Sequence, residues 1–85
     1  MPLNNTDALR SWGERDNPPY REWAAVERWV LDLDHSPWQP PSTPWSVNEG
    51  EPVEIRCAEL SDSSVVIFYT VDQESLRVDL LYVGP

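Results

Sequence analysis

Hydrophobic residues recur at helical spacing between residues 17 and 35. Positions three or four apart line one side of an α-helix, so this stretch predicts an amphipathic helix. Asn17 is a good N-cap and Pro18 suits the first helical position. The helix should end by residue 36, because Pro37 pushes the residue before it out of helical geometry. The predicted apolar stripe consists of Tyr20, Trp23, Val26, Val30 and Leu33.

A shorter helix is predicted for "NNTDALRSWG", residues 4–13. Leu9 and Trp12 lie three positions apart and would share one face. Asn5 or Thr6 can cap the free N–H groups of the first turn, and Gly13 is a natural helix stop.

Three segments after residue 50 have the pattern of β-strands. In "VEIRCAEL", residues 53–60, apolar Val53, Ile55 and Cys57 alternate with Glu54, Arg56 and Ala58, which predicts one buried face. In "LRVDLLYV", residues 76–83, Val78, Leu80 and Tyr82 alternate in the same way. Between them, "VVIFYTV" is apolar on both faces and should be the central strand. The polar stretches "SDSS" and "DQES" predict turns, hence a three-stranded antiparallel meander.

The segment "SPWQPPSTPW", residues 36–45, carries four prolines and two tryptophans. Prolines exclude a helix or a central strand, so we expect extended, polyproline-like backbone that lies against the rest of the domain. The overall prediction is one α+β domain spanning residues 1–85. Residues 1–35 form its helical part, residues 36–50 a Pro/Trp-rich connector and residues 51–85 the sheet, with the longer helix covering one sheet face.

Composition limits the classes of partner. Fifteen carboxylates face six arginines and no lysine, a net charge of −9. This charge repels phosphate backbones, so it disfavours direct nucleic-acid binding and favours cationic protein partners. Cys57 is the single cysteine, which excludes an internal disulfide, and the longest apolar run is five residues. We therefore expect a cytoplasmic protein without membrane association.

Residues for catalysis or metal binding are few. Asp32, Asp34 and His35 form a cluster that could hold a divalent cation, but hydrated surface side chains explain it more simply. Cys57 lies on the predicted apolar side of its strand, where burial raises a thiol pKa. Because no nucleophile, base and acid converge, the sequence favours a protein that is not an enzyme and uses no cofactor.

The order of these segments resembles the RelE/ParE superfamily of small bacterial toxins. The resemblance runs over about residues 20–85, through "LDLDHSPWQPPS", "VEIRCAEL", "VVIFYTVD" and "LRVDLLYVG". Tyr69, Val71, Val83 and Gly84 stand where the family pattern has such residues. Three features depart from it. Val66 replaces an arginine, only Pro85 follows the last glycine where basic residues are usual, and "MPLNNTDALR" shows no opening strand.

The resemblance implies the toxin-like component of a toxin–antitoxin pair that acts by binding a protein, either an antitoxin or a cellular target. An acidic interaction or inhibitor protein with a basic client is the alternative, and a ribosome-dependent mRNA interferase using Arg56 is the third hypothesis. Arg56, Arg77, Tyr69 and Tyr82 are the candidate contacts for phosphate or a partner. The sequence leaves the oligomeric state open.

Overall fold

A computed structural model describes residues 3–47, 50, 52–60 and 64–85. The α+β class and the two N-terminal helices agree with the prediction from sequence. In these residues two helices and five strands follow one another in the order β1 (Leu3–Asn5), α1 (Asp7–Asp16), α2 (Tyr20–Asp32), β2 (Ser42–Val47), β3 (Val53–Glu59), β4 (Val66–Asp72) and β5 (Arg77–Gly84).

The strands form one mixed sheet in the order β1-β5-β4-β3-β2. The predicted antiparallel meander is present as β3, β4 and β5, but the prediction of three strands is wrong. β2 pairs antiparallel with β3, and β1 pairs in parallel with β5. Both added strands lie at the sheet edges. β2 tolerates Pro44 there because an edge strand leaves one row of backbone groups without ladder bonds.

The connector is turned rather than extended before it enters β2. The N–H of Gln39 donates to the carbonyl of Ser36, and the N–H of Ser42 donates to that of Gln39, each at 3.1 Å. The indole Nε1 of Trp29 donates to the carbonyl of Pro40 at 3.1 Å. These bonds fix the connector against α2, so the segment does lie against the domain as expected.

Both helices pack on the same face of the sheet. Leu9 and Trp12 of α1 join Val26, Val30 and Leu33 around α2 in a single buried cluster with the sheet. Tyr20 is 84% exposed and does not belong to the predicted stripe. The sheet contributes Ala58, Val65, Ile67, Tyr69, Val71, Val78, Leu80 and Val83.

The junction between the helices differs from the sequence prediction. α1 continues through Gly13 to Asp16, and Asn17 ends it in the left-handed conformation with φ 43°, its N–H donating to the carbonyl of Gly13. Gly13 is needed for close packing, because a Cβ there would lie 2.5 Å from Cζ3 of Trp23. The Trp23 ring stacks on Trp12 with centroids 5.7 Å apart.

We therefore expect Gly13→Ala to destabilise the protein by about 1–2 kcal/mol, because overpacking against Trp23 outweighs the helix propensity of alanine. In a Trp23→Ala background the same change should stabilise by up to about 1 kcal/mol, since the propensity gain then stands alone. Urea unfolding of the four proteins in this double-mutant cycle measures both values. Stabilisation of the otherwise native chain by Gly13→Ala would contradict the proposed packing role.

Candidate functional site

The face of the sheet opposite the helices is not covered by any described segment. Side chains alternate along β4, so Ile67, Tyr69 and Val71 reach the helix-packed core. Phe68 and Thr70 point the other way and are half-buried. The structure thus identifies the open face, which the sequence pattern left undecided.

Three aromatic rings cross this open face. Trp45 of β2 meets Phe68 of β4 edge-on with centroids 5.0 Å apart, and Phe68 lies 6.3 Å from Tyr82 of β5. Trp45 is 65% exposed and Tyr82 is 38% exposed. We call these three side chains the aromatic row. Of its members, the sequence had singled out Tyr82 alone.

A β-bulge in β5 places Tyr82 on the open face. Leu80 pairs with Tyr69 and Tyr82 pairs with Phe68, so Leu81 is an extra residue in β5. Strict alternation would have put Tyr82 in the core beside Leu80, as the sequence predicted. The bulge reverses that placement, because one inserted residue moves the following side chain to the other face.

Arg15 of α1 reaches the end of the aromatic row. Its guanidinium carbon lies 5.6 Å from the centroid of the Tyr82 ring, and its Nη2 donates to the carbonyl of Val83 at 2.9 Å. Gly84 makes room for this arrangement, since a Cβ there would lie 2.7 Å from Nη2 of Arg15. No local pattern in the sequence indicates Arg15 as a site residue, because its role depends on the packing of α1 beside β5.

Cys57 lies on the open face of β3, the strand between Trp45 of β2 and Phe68 of β4, and it pairs with Phe68 in the sheet. Burial raises the pKa of its thiol, and the nearby Glu59 carboxylate raises it further. The thiol therefore stays protonated at neutral pH, in agreement with the sequence prediction, and is a poor nucleophile. Glu59 is exposed and forms no ion pair with the described residues.

Arg56 lies on the helix-packed face, opposite to the prediction for β3. It pairs with Tyr69, and its side chain is 9% exposed. Its Nη1 donates to Oε1 of Glu54 at 2.9 Å, and its Nη2 donates to Oγ of Ser42 at 2.9 Å. The charge is compensated inside the fold, so β3 can bury an arginine and turn Ile55 and Cys57 to the open face.

Tyr69 is fully buried and serves the fold rather than an exposed surface. Its hydroxyl donates to the carbonyl of Pro37 at 2.7 Å, and Trp29 packs edge-on to its ring. Burial raises the pKa of this phenol above its usual range, although hydrogen bonds with Ser42 and Arg56 oppose that effect. The tyrosine thus holds the connector to the sheet.

Tyr69→Phe should cost about 1–2 kcal/mol of stability at neutral pH, because the buried carbonyl of Pro37 loses its donor. The raised pKa means that the folded state binds the phenolic proton more tightly than the unfolded state. Its contribution is complete below the unfolded pKa of about 10 and is lost as pH rises through the folded pKa. The variant should therefore lose less stability than the native chain above about pH 10. Urea unfolding across alkaline pH tests this, with the exposed Tyr20→Phe as control. An unchanged pH dependence in Tyr69→Phe would contradict it.

Arg77 remains exposed, with 52% of its side chain accessible. It lies on the open face at the start of β5, where its Nε contacts the Asp79 carboxylate at 3.2 Å. It is therefore placed to contact a partner, and its predicted role stays a prediction.

Asp32, Asp34 and His35 follow one another at the end of α2. The carboxylate of Asp34 accepts the backbone N–H of Leu3 at 3.0 Å, which ties β1 to this turn. Asp32 and His35 are exposed. Within the described ranges, no group of three or more His, Cys, Asp or Glu side chains is placed to hold a metal ion.

The open face offers contact surface. Its described members are aromatic rings, a protonated thiol and a few charged side chains around them.

No helix in the described part of the chain has the length and apolar character to cross a bilayer. Comparisons with models of known protein families, with curated proteins and with solved structures found no match for this chain.

Proposed function

We propose that this chain is a RelE/ParE-like protein that acts by binding a protein partner, as the toxin-like component of a toxin–antitoxin pair in the bacterial cytoplasm. The exposed aromatic row on the open sheet face carries this proposal. Clustered apolar side chains on a protein surface mark interaction sites, and aromatic residues dominate the binding energy of such sites. The function that follows is recognition of another protein.

The order of the elements supports the resemblance to the toxin superfamily. An opening strand before the first helix is usual in that family, and β1 occupies this position although the sequence did not indicate it. Two helices, the edge strand β2 and the antiparallel β3, β4 and β5 follow. The family-like Val71 and Val83 lie in the core, where the pattern of the family has apolar residues.

The contacts of the arginines disfavour the interferase hypothesis. A ribonuclease needs cationic groups that can reach phosphate and the charge that develops on it. Arg56 is buried and bonded to Glu54 and Ser42, so its guanidinium is already engaged. Arg77 is exposed but paired with Asp79.

Net charge favours the second candidate, an acidic interaction or inhibitor protein with a basic client. The chain carries a charge of −9. Four arginines, Arg10, Arg15, Arg56 and Arg77, already form ion pairs within the fold. The remaining carboxylates create a field that attracts a cationic protein.

Inducible expression in a bacterial host, with and without the product of a neighbouring small reading frame, tests the proposal. We expect growth arrest that the co-expressed product relieves, with transcripts left intact. Trp45→Ala should lose the arrest, while Tyr20→Ala on the helix side should retain it. Cut transcripts would select the interferase instead. Harmless expression together with salt-sensitive retention of a basic protein would select the acidic interaction protein.

A further inference from the structure

We infer that the open sheet face binds a segment of a protein partner that presents apolar side chains and arginines on the same side. Its apolar side chains would lie on the aromatic row, and its guanidinium groups would stack on ring faces and pair with Glu59. This inference rests on the proposed function, because it names the surface and the chemistry of the protein partner.

The extent of the aromatic row fits a chain segment. The row begins on β2 and ends on β5, with Cys57 of β3 and Phe68 of β4 between. Four strands at the usual spacing give a width of roughly 14 Å. Because the exposed rings Trp45 and Tyr82 stand at opposite ends of the row, one bound side chain could not contact both. A segment of several residues could.

Arg15 shows which cation this face accepts. Its guanidinium lies over the Tyr82 ring, and its Nη2 donates to the carbonyl of Val83. The rings of Trp45 and Phe68 have no such cation among the described residues. A planar guanidinium stacks on aromatic faces better than an ammonium group, so arginine is the expected partner residue.

A carboxylate beside the row adds a partner for the cation. Glu59 lies two residues beyond Cys57 on β3, about 7 Å along the same face, and is unpaired among the described residues. The charge of −9 would steer a cationic segment toward this surface. A second copy of the chain carries the same negative charge, which opposes pairing of two open faces.

Two synthetic peptides provide the probes. One is a capped heptapeptide, Leu-Ser-Arg-Ser-Leu-Ser-Arg, in which leucines and arginines share one side of an extended chain, and the other is its analogue with citrulline in place of arginine. Citrulline keeps the shape but removes the charge. Titrated into isotopically labelled full-length protein, the arginine peptide should shift the NMR signals of Trp45, Phe68 and Tyr82. The dissociation constant of the citrulline peptide should be higher by a factor of about five or more. Added salt should reduce the difference between the two peptides.

Matched variants locate the binding energy. Trp45→Ala should weaken the arginine peptide about tenfold, because the most exposed ring of the row is lost. Glu59→Gln should weaken it about threefold and should leave the citrulline peptide unaffected. Tyr20→Ala, another exposed aromatic but on α2, should leave both affinities unchanged.

Equal affinity for the two peptides, shifts confined to the helices, or no binding at millimolar peptide would overturn this inference. Sedimentation that shows a dimer joined through the aromatic row would also overturn it, since the occupant would then be a second copy. Growth arrest relieved by a partner, combined with peptide-induced NMR shifts outside the aromatic row, would contradict this inference and leave the proposed function standing. Peptide binding at the row by a chain that causes no arrest would support the surface and count against the toxin-like role.

Discussion

Trp12→Ala is expected to destabilise the protein by about 3–5 kcal/mol, the usual range for a fully buried large aromatic. Trp12 is 2% exposed, and its ring stacks on Trp23 at an interplanar angle of 13°. The side chain joins α1, α2 and the sheet in one cluster. A domain of 85 residues has a total stability near the lower end of about 5–15 kcal/mol, so the loss would leave a marginal fold.

Urea unfolding followed by circular dichroism measures the loss, and Trp45→Ala is the matched control. Trp45 is 65% exposed at the sheet edge, so its removal should cost no more than about 1 kcal/mol. The comparison also establishes that Trp45→Ala is folded when its binding is measured. Equal stability of the two variants would show that Trp12 does not anchor the core.

Periodicity was sufficient to predict the elements with strong local patterns. The spacing of Val26, Val30 and Leu33 identified the buried side of the long helix, and all three lie in the core. The apolar run from residue 65 to residue 71 identified the central strand of the predicted meander. Each of these patterns arises within one segment, so no knowledge of the neighbouring elements was needed.

Features that depend on contacts between distant segments escaped prediction. β1 has one apolar residue, Leu3. The strand forms because the backbone N–H of Leu3 donates to the Asp34 carboxylate and because β1 pairs with the edge of β5. The sequence pattern indicated Gly13 as a helix stop. In the structure, the glycine is needed because the ring of Trp23, from the other helix, packs against it and leaves no room for a Cβ. Hydrophobic alternation contains no information about such partners.

Apart from Tyr82, the candidate site was missed, mainly because two strand faces were misjudged. Alternation placed Ile55 and Cys57 inward, but the bonds of Arg56 with Glu54 and Ser42 stabilise the opposite orientation of β3. The extra residue Leu81 then moved Tyr82 to the same open face. Neither a compensated buried arginine nor a bulge can be recognised from the alternation of apolar and polar positions.

Arg56→Ala is expected to destabilise the protein by about 3–5 kcal/mol, as removal of one member of a buried ion pair does. Among the described residues, the Glu54 carboxylate, 19% exposed, would keep only the indole Nε1 of Trp38 as a donor, at 3.1 Å. The hydroxyl and carbonyl oxygens of Ser42 would lose the bonds that Arg56 donates as well. β2 would thereby lose its main side-chain attachment to β3.

Arg77→Ala is the matched control, because it removes the same charge from an ion pair that is half-exposed. Its cost should not exceed about 0.5 kcal/mol, since solvent screens such pairs. Urea unfolding at equal ionic strength compares the two variants. A difference of several kcal/mol would assign Arg56 to the fold and leave Arg77 as the candidate partner contact of the two. Unchanged stability of Arg56→Ala, with loss of growth arrest, would instead return Arg56 to the functional site and revive the interferase hypothesis.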